Sequence, residues 1–92
     1  MVKVYGSNAT SRFKRSVKRA KKRGLDMTKL EKVIKQAELG TLNSSYDDHA
    51  LKGEWTGHRE CHIQGDWLLV YRYTKHSLLL VDTGTHADIF GM

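Results

Sequence analysis

Residues 58–73 read H-R-E-C-H-I-Q-G-D-W-L-L-V-Y-R-Y, two strand-like runs on either side of a glycine. His58, Glu60 and His62 alternate with Arg59, Cys61 and Ile63, the period-two pattern of a strand with one face on a core. Gln64-Gly65 suits a two-residue turn. Trp67 to Tyr73 is apolar on both faces, as a central strand is. A last strand is expected from Leu78 to Val81, after a turn at Lys75-His76. The three strands form an antiparallel meander whose face bearing His58, Glu60 and His62 should stay open.

Upstream, two helices supply the cover for the other face. Lys3-Val4-Tyr5 reads as a short strand that Gly6-Ser7-Asn8 breaks. Thr10 or Ser11 then caps a helix whose narrow apolar stripe is Phe13, Val17 and Ala20, with Gly24 at its end. A second helix opens at Asp26 or Thr28, buries Met27, Leu30, Val33, Ile34 and Ala37, and closes at Gly40. Residues 41–57 read as loop, and Asp88-Ile89-Phe90 as a short tail after a bend at Gly84. The order β-α-α-β-β-β gives an α+β domain with two N-terminal helices packed on a small antiparallel sheet. Its 92 residues are expected to form a single domain, 1–92.

The distribution of charge says more than its net value of +6. Residues 1–23 carry nine basic side chains and no acidic one, whereas the rest of the chain is net acidic. Such a basic helix points to a polyanion, with nucleic acid the leading candidate. No segment is apolar and long enough to span a bilayer, and no signal-peptide pattern opens the chain, so a cytoplasmic protein without a membrane partner is expected. The lone Cys61 excludes an internal disulfide and reads as a small buried hydrophobe.

Titratable and aromatic residues concentrate in two stretches, 48–67 and 83–90 (T-G-T-H-A-D-I-F). A metal site is not expected. No histidine pair has the i, i+4 arrangement on a helix: His58 and His62 are four apart, but on a strand, where that separation spans about 13 Å. Cys61 points away from His62, which disfavours a cysteine–histidine nucleophile. Acid–base cleavage of RNA remains, because the 2′-hydroxyl is its own nucleophile. The protein need only take one proton, give another and stabilise charge on the phosphate. Phe90 is a candidate for stacking an unpaired base, and so is Trp67, for which a place in the core is the commoner alternative.

The D-H-A-L-K-G-E-W-T-G-H-R-E-C-H-I-Q-G-D-W-L-L-V-Y stretch and the T-G-T-H-A-D-I-F ending resemble the YafQ branch of the RelE family, small toxins of bacterial type II toxin–antitoxin pairs. The resemblance implies a RelE-like fold and an mRNA interferase that cuts translated mRNA in the ribosomal A site with no cofactor or metal. His86 would be the main proton-transfer residue, and His49 and Asp66 would share acid–base duty. His62 would help hold the phosphate, and Phe90 would contact a base. Lys52, Arg59, Trp67 and the helix cations Lys14, Arg15, Lys18, Arg19, Lys22 and Arg23 complete the expected RNA surface. The implied partners are a cognate acidic antitoxin, the ribosome and mRNA, with operator DNA reached only through the antitoxin complex. One position departs from the pattern: Asp82 stands where this branch usually has arginine. That reversal sustains a rival reading as a non-cleaving regulatory relative acting at operator DNA, and implies that Asp82→Arg would speed cleavage.

Overall fold

A computed structural model describes residues 6–91 of the chain. The elements run β1 (Gly6–Ala9), α1 (Ser11–Lys22), α2 (Met27–Glu38), β2 (His49–Ala50), β3 (Arg59–Gln64), β4 (Trp67–Tyr73), β5 (Ser77–Gly84) and α3 (His86–Phe90). Five strands make one sheet in the order β1-β5-β4-β3-β2. The α+β class and the β3-β4-β5 meander follow the sequence reading. Among the described residues no helix is long and apolar enough to cross a membrane.

Four local expectations change. The strand expected at 3–5 lies outside the described residues, but Gly6–Ala9 is itself a strand and not its break. It pairs in parallel with β5, from Gly6 opposite Ser77 to Ala9 opposite Leu80, so the sheet is mixed. Glycine, serine and asparagine disfavour strands locally, and pairing along a sheet edge overrides that preference. Within the supposed loop, His49 and Ala50 pair with Glu60 and Arg59, too short a strand to show a period. The β3–β4 turn is centred on Gly65-Asp66, one residue later than expected. The C-terminal tail is a helix: Thr85 accepts from the Asp88 backbone N–H, and the Asp88 carboxylate accepts from the Thr85 N–H, a reciprocal capping box.

The helices bury one face of the sheet. Phe13, Leu30, Val33 and Ala37 pack on Cys61, Ile63, Trp67, Leu69, Tyr71, Leu78 and Leu80. Each large apolar side chain buried there contributes about 1.5–3 kcal/mol. Burial, with help from the nearby charges of Asp48 and Glu60, pushes the Cys61 thiol up to about 12, so it stays protonated and inert. On the opposite face a smaller cluster forms from Leu68, Val70 and Ile89, flanked by Leu51, Trp55, Val81 and Phe90. The face expected to be open is therefore half covered, by α3 and by the segment before β3.

α1 has two polar faces with different fates. Arg12, Ser16, Arg19 and Arg23 recur at helical spacing and face the acids of the body. Arg23 grips Asp88 with both terminal nitrogens, at 2.6 and 3.1 Å, and Arg19 lies 3.9 Å from the same carboxylate. Gly84 allows this closeness: a Cβ there would stand 2.9 Å from Asp88 Cβ and Oδ2. The Arg23 hydrogen bonds, reinforced by the Thr85 N–H, hold the Asp88 carboxyl well below the ordinary carboxylate range. Because the folded value is depressed, Asp88 stabilises the fold above the unfolded pKa of about 3.9, and that contribution is lost as pH falls through the folded value. Asp88→Asn should therefore lower the melting temperature at pH 7, and the gap from the parent should narrow below about pH 4. A gap independent of pH in thermal melts would show that the charge of Asp88 is not what anchors α3.

Candidate active site

The site is assembled from β2, β3, the β3–β4 turn and α3. β3 alternation sends Glu60 and His62 away from the helices, and β2 sets His49 directly opposite Glu60. The capping box of α3 makes His86 its first residue, next to the turn that carries Asp66. The imidazoles form a row, with ring centres 6.4 Å apart from His49 to His62 and 5.9 Å from His62 to His86. The row continues from His86 to Phe90 at 6.2 Å and from Phe90 to Trp55 at 5.3 Å.

Hydrogen bonds define which ring nitrogens are available. Asp66 Oδ1 accepts from the His86 backbone N–H at 3.2 Å and contacts His86 Nδ1. The bonds from His86 lower the Asp66 pKa, so Asp66 is ionised near neutrality. An ionised carboxylate only accepts, which puts the imidazole hydrogen on Nδ1 and leaves Nε2 as the working nitrogen. His49 follows the same logic, because its Nδ1 lies 2.9 Å from the Asp47 carbonyl oxygen and must donate to it. Asp47 adopts a left-handed backbone (φ 49°), and Asp48 beyond it accepts from Tyr71 Oη at 2.5 Å and Arg59 Nε at 3.2 Å. These contacts fix the start of β2 and with it His49.

Glu60 is the site residue that the sequence reading placed on the correct face but gave no role. It is 4% exposed, and its Oε1 lies 3.3 Å from His62 Nε2 and 3.6 Å from His86 Nε2. Strand alternation beside His62 carried that signal, while its approach to His86 depends on where α3 docks. Trp55 was also passed over, because its loop has no period to read. It now joins Phe90 to His58, whose ring lies 5.4 Å from the indole.

Several expected RNA contacts are not brought here. Trp67 is 5% exposed in the helix-side core and donates its Nε1–H to Thr83 Oγ1 at 3.0 Å, so no base can stack on it. Arg59 lies on the sheet face of Cys61 and is held by Asp48. Arg19 and Arg23 are engaged by Asp88. Lys14, Arg15, Lys18 and Lys22 remain on the exposed outer face of α1, and Lys52 is exposed ahead of a short turn at Gly53–Trp55.

Asp82 does not face the reaction centre as expected. A bulge between the Val70–Asp82 and Tyr71–Leu80 pairs breaks the alternation that grouped Asp82 with Leu78 and Leu80. Asp82 is 1% exposed beneath α1, where it accepts from Ser16 Oγ at 2.5 Å and the Thr83 N–H at 2.8 Å. Arg12 Nε lies 2.7 Å from its other oxygen. The same guanidinium donates to the Ile89 carbonyl at 3.0 Å and stacks 5.3 Å from the Trp55 ring centre. Asp82 thus orients an arginine that braces α3 and Trp55.

The sequence matches the profile of a bacterial toxin of type II toxin–antitoxin system, YafQ, over residues 5–91. The chain belongs to the YafQ toxin family. It is 39% identical over 84 residues to the mRNA interferase toxin YafQ of Escherichia coli K12, covering 89% of this chain and 91% of that one. The structure superposes on E. coli YafQ from the DinJ-YafQ toxin–antitoxin complex with a TM-score of 0.86 at 37% identity, covering 95% and 98% of the two chains. It also resembles a metal-bound toxin from Helicobacter pylori, with a TM-score of 0.87 at 35% identity, covering 94% and 99%. The RelE-like α+β fold implied by the sequence is that of the YafQ family.

The environment of Asp82 reverses the expected effect of its replacement. Asp82→Arg would set two guanidinium groups together under α1 and leave Ser16 and the Thr83 N–H without their acceptor. A loss of about 3 kcal/mol is expected, the low end for breaking a buried pair because Arg12 is half exposed. Denaturant unfolding of the variant should show that loss, and its cleavage rate should fall. Unchanged stability with faster cleavage would restore the view that Asp82 opposes the reaction.

Proposed function

We propose that this chain is a ribosome-dependent endoribonuclease that cleaves translated mRNA by acid–base catalysis and is silenced by an acidic antitoxin. The observation that carries this reading is His86, fixed through Nδ1 by Asp66 with Nε2 turned toward Glu60 and His62. Cleavage starts when a base takes the proton of the 2′-hydroxyl and its oxygen attacks the adjacent phosphorus. It ends when an acid protonates the departing 5′-oxygen, leaving a 2′,3′-cyclic phosphate. His86 and His49, each with Nδ1–H held and Nε2 available, supply two such groups. Asp66 stabilises the imidazolium that His86 becomes after taking a proton. Glu60 lies close enough to do the same for His62 through Nε2, at 3.3 Å, which leaves the other ring nitrogen of an imidazolium to donate to a phosphate oxygen. Phe90, on the last turn of α3 next to His86, supports a neighbouring base.

The outer face of α1 supports the ribosomal part of the reading. Among the described residues, Lys14, Arg15, Lys18, Lys21 and Lys22 are exposed and have no ion pair. Five unneutralised cations on one helix suit a phosphate surface, and the other face of that helix braces the element carrying His86. The E. coli relative bound to DinJ supports an antitoxin as the silencing partner here. The rival non-cleaving reading loses its motive, since Asp82 has a structural reason that does not involve the phosphate.

His86→Gln should keep the fold and reduce cleavage of ribosome-bound mRNA by about 10²–10⁴-fold, with loss of growth arrest on induction. A fully toxic variant would remove His86 from proton transfer. Charge removal at Lys14, Arg15, Lys18, Lys21 and Lys22 should weaken ribosome affinity. It should also flatten the log–log salt slope by roughly 0.7–0.9 per lost phosphate contact. Sedimentation at several salt concentrations measures this, and an unchanged slope would show α1 to be a solvated face.

A further inference from the structure

Arg12 brings a guanidinium to the aromatic end of the site, and its own bonds do not use it up. Nε lies 2.7 Å from buried Asp82, and one hydrogen of Nη2 goes to the Ile89 carbonyl at 3.0 Å. A guanidinium carries five N–H donors in one plane. Among the described residues the remaining donors have no acceptor, both terminal nitrogens keep a hydrogen, and the side chain is 45% exposed.

The surroundings of this fork decide what it can hold. The guanidinium lies 5.3 Å from the Trp55 ring centre, and Trp55 meets Phe90 edge to face at 5.3 Å. The carbonyl it holds belongs to the peptide that joins Ile89 to Phe90, and Phe90 lies 6.2 Å from His86. A base resting against Phe90 beside the reacting phosphate therefore has the fork at its edge. Asp82 already neutralises the guanidinium, so little net charge is left for a phosphate, whereas directed donors remain. We propose that Arg12, oriented by Asp82 and stacked on Trp55, is a specificity-determining residue that reads the nucleobase held by Phe90 and selects guanine there.

Guanine follows from the donor pattern. Its O6 and N7 are adjacent acceptors that match two N–H groups of one planar fork, whereas adenine replaces the O6 acceptor with an amino donor. Cytosine offers O2 and N3 as a pair in a single strand, but its smaller ring covers less of Phe90 and stacks more weakly. A contact of this kind discriminates between bases without adding to salt dependence, because it is phosphate contacts that release counterions. Which nucleotide of the message is read rests on the ribonuclease reading, which places the scissile phosphate at His86; base selection on free RNA does not.

The test titrates the full chain with 2′-O-methyl trinucleotides, which lack the attacking hydroxyl, and follows quenching of Trp55 fluorescence. Trp55→Phe should lose the signal, since Trp67 is buried; a signal that survives would place the trimer elsewhere and overturn the subsite. The guanine trimer and its inosine analogue, which keeps O6 and N7, should bind alike. The 7-deazaguanine, adenine and cytosine trimers should each bind at least about fivefold more weakly, the low end for a good bidentate pair. Arg12→Lys keeps a charge beside Asp82 but loses the planar fork. It should bring the guanine and adenine affinities together and leave the log–log salt slope at the parent value. Four results would overturn the proposal: adenine or cytosine bound by the parent as tightly as guanine, 7-deazaguanine bound as tightly as guanine, an unchanged guanine preference in Arg12→Lys, or a salt slope that flattens in that variant. The third is what a bracing role alone would give, with all trimers weakened in the same ratio. On the ribosome, messages with guanine beside the scissile phosphate should be cut faster than those with adenine, and Arg12→Lys should erase the difference. Cleavage without base preference would remove the subsite and leave the ribonuclease reading standing. Guanine-selective binding by a chain that cuts no message would do the reverse.

Discussion

Everything that makes this fold a site depends on α3 being folded back against the sheet, and the interaction that holds it there is the grip of Arg23 and Arg19 on Asp88. α3 is only five residues long and buries Ile89 as its main apolar anchor, too little for a helix to form or dock alone. Asp88 supplies what is missing from both sides: it caps the first turn of its own helix and accepts the guanidinium of another. Gly84 is the matching constraint on β5, since a side chain there would occupy the volume of Asp88. One carboxylate and one missing Cβ thus place His86 beside Glu60 and Asp66.

The basic helix consequently has two faces that its composition does not separate. Its inner stripe of arginines is structural and neutralised, by Asp82 near the start and Asp88 near the end. Its outer lysines, with Arg15, are exposed and without an ion pair among the described residues. Arg12 joins the two roles, because it rests on buried Asp82, holds the end of α3 and stacks on Trp55 beside Phe90. In a chain this short the same side chains that stabilise the core boundary also fix the geometry of the candidate site. Stability and activity should therefore be hard to vary independently along this stripe.

Much of the architecture was legible in the sequence. The alternation of residues 58–63 and the doubly apolar run at 67–73 place β3 and β4 with their correct faces, and Thr10, Asp26 and Gly24 mark helix ends. The motif residues His49, His62, Asp66 and His86 come together in space. What the sequence hid is tertiary in origin. β1 exists because β5 offers an edge, and β2 because Asp48 is held by Tyr71 and Arg59. The bulge at Val81 turned Asp82 away from the face that simple alternation assigned. Trp67 does not take the stacking role expected of it, because a tryptophan at the head of a central strand is buried by the helices above it, whereas Trp55, which had no expected role, lies beside Phe90. Glu60 was readable by face, but its pairing with His86 depends on how α3 docks. The T-H-A-D spacing did carry a capping signal for α3, overlooked beside the glycine that precedes it.

In the proposed reaction these side chains move protons while the RNA supplies the nucleophile. The most direct measurement places a single 2′-deoxynucleotide on the 5′ side of the scissile phosphate of a ribosome-bound mRNA. Cleavage at that phosphate should stop, while the all-ribose message should yield a 2′,3′-cyclic phosphate end. Cleavage of the deoxy-substituted message at the parent rate would contradict it, because the attacking oxygen would then have to come from elsewhere.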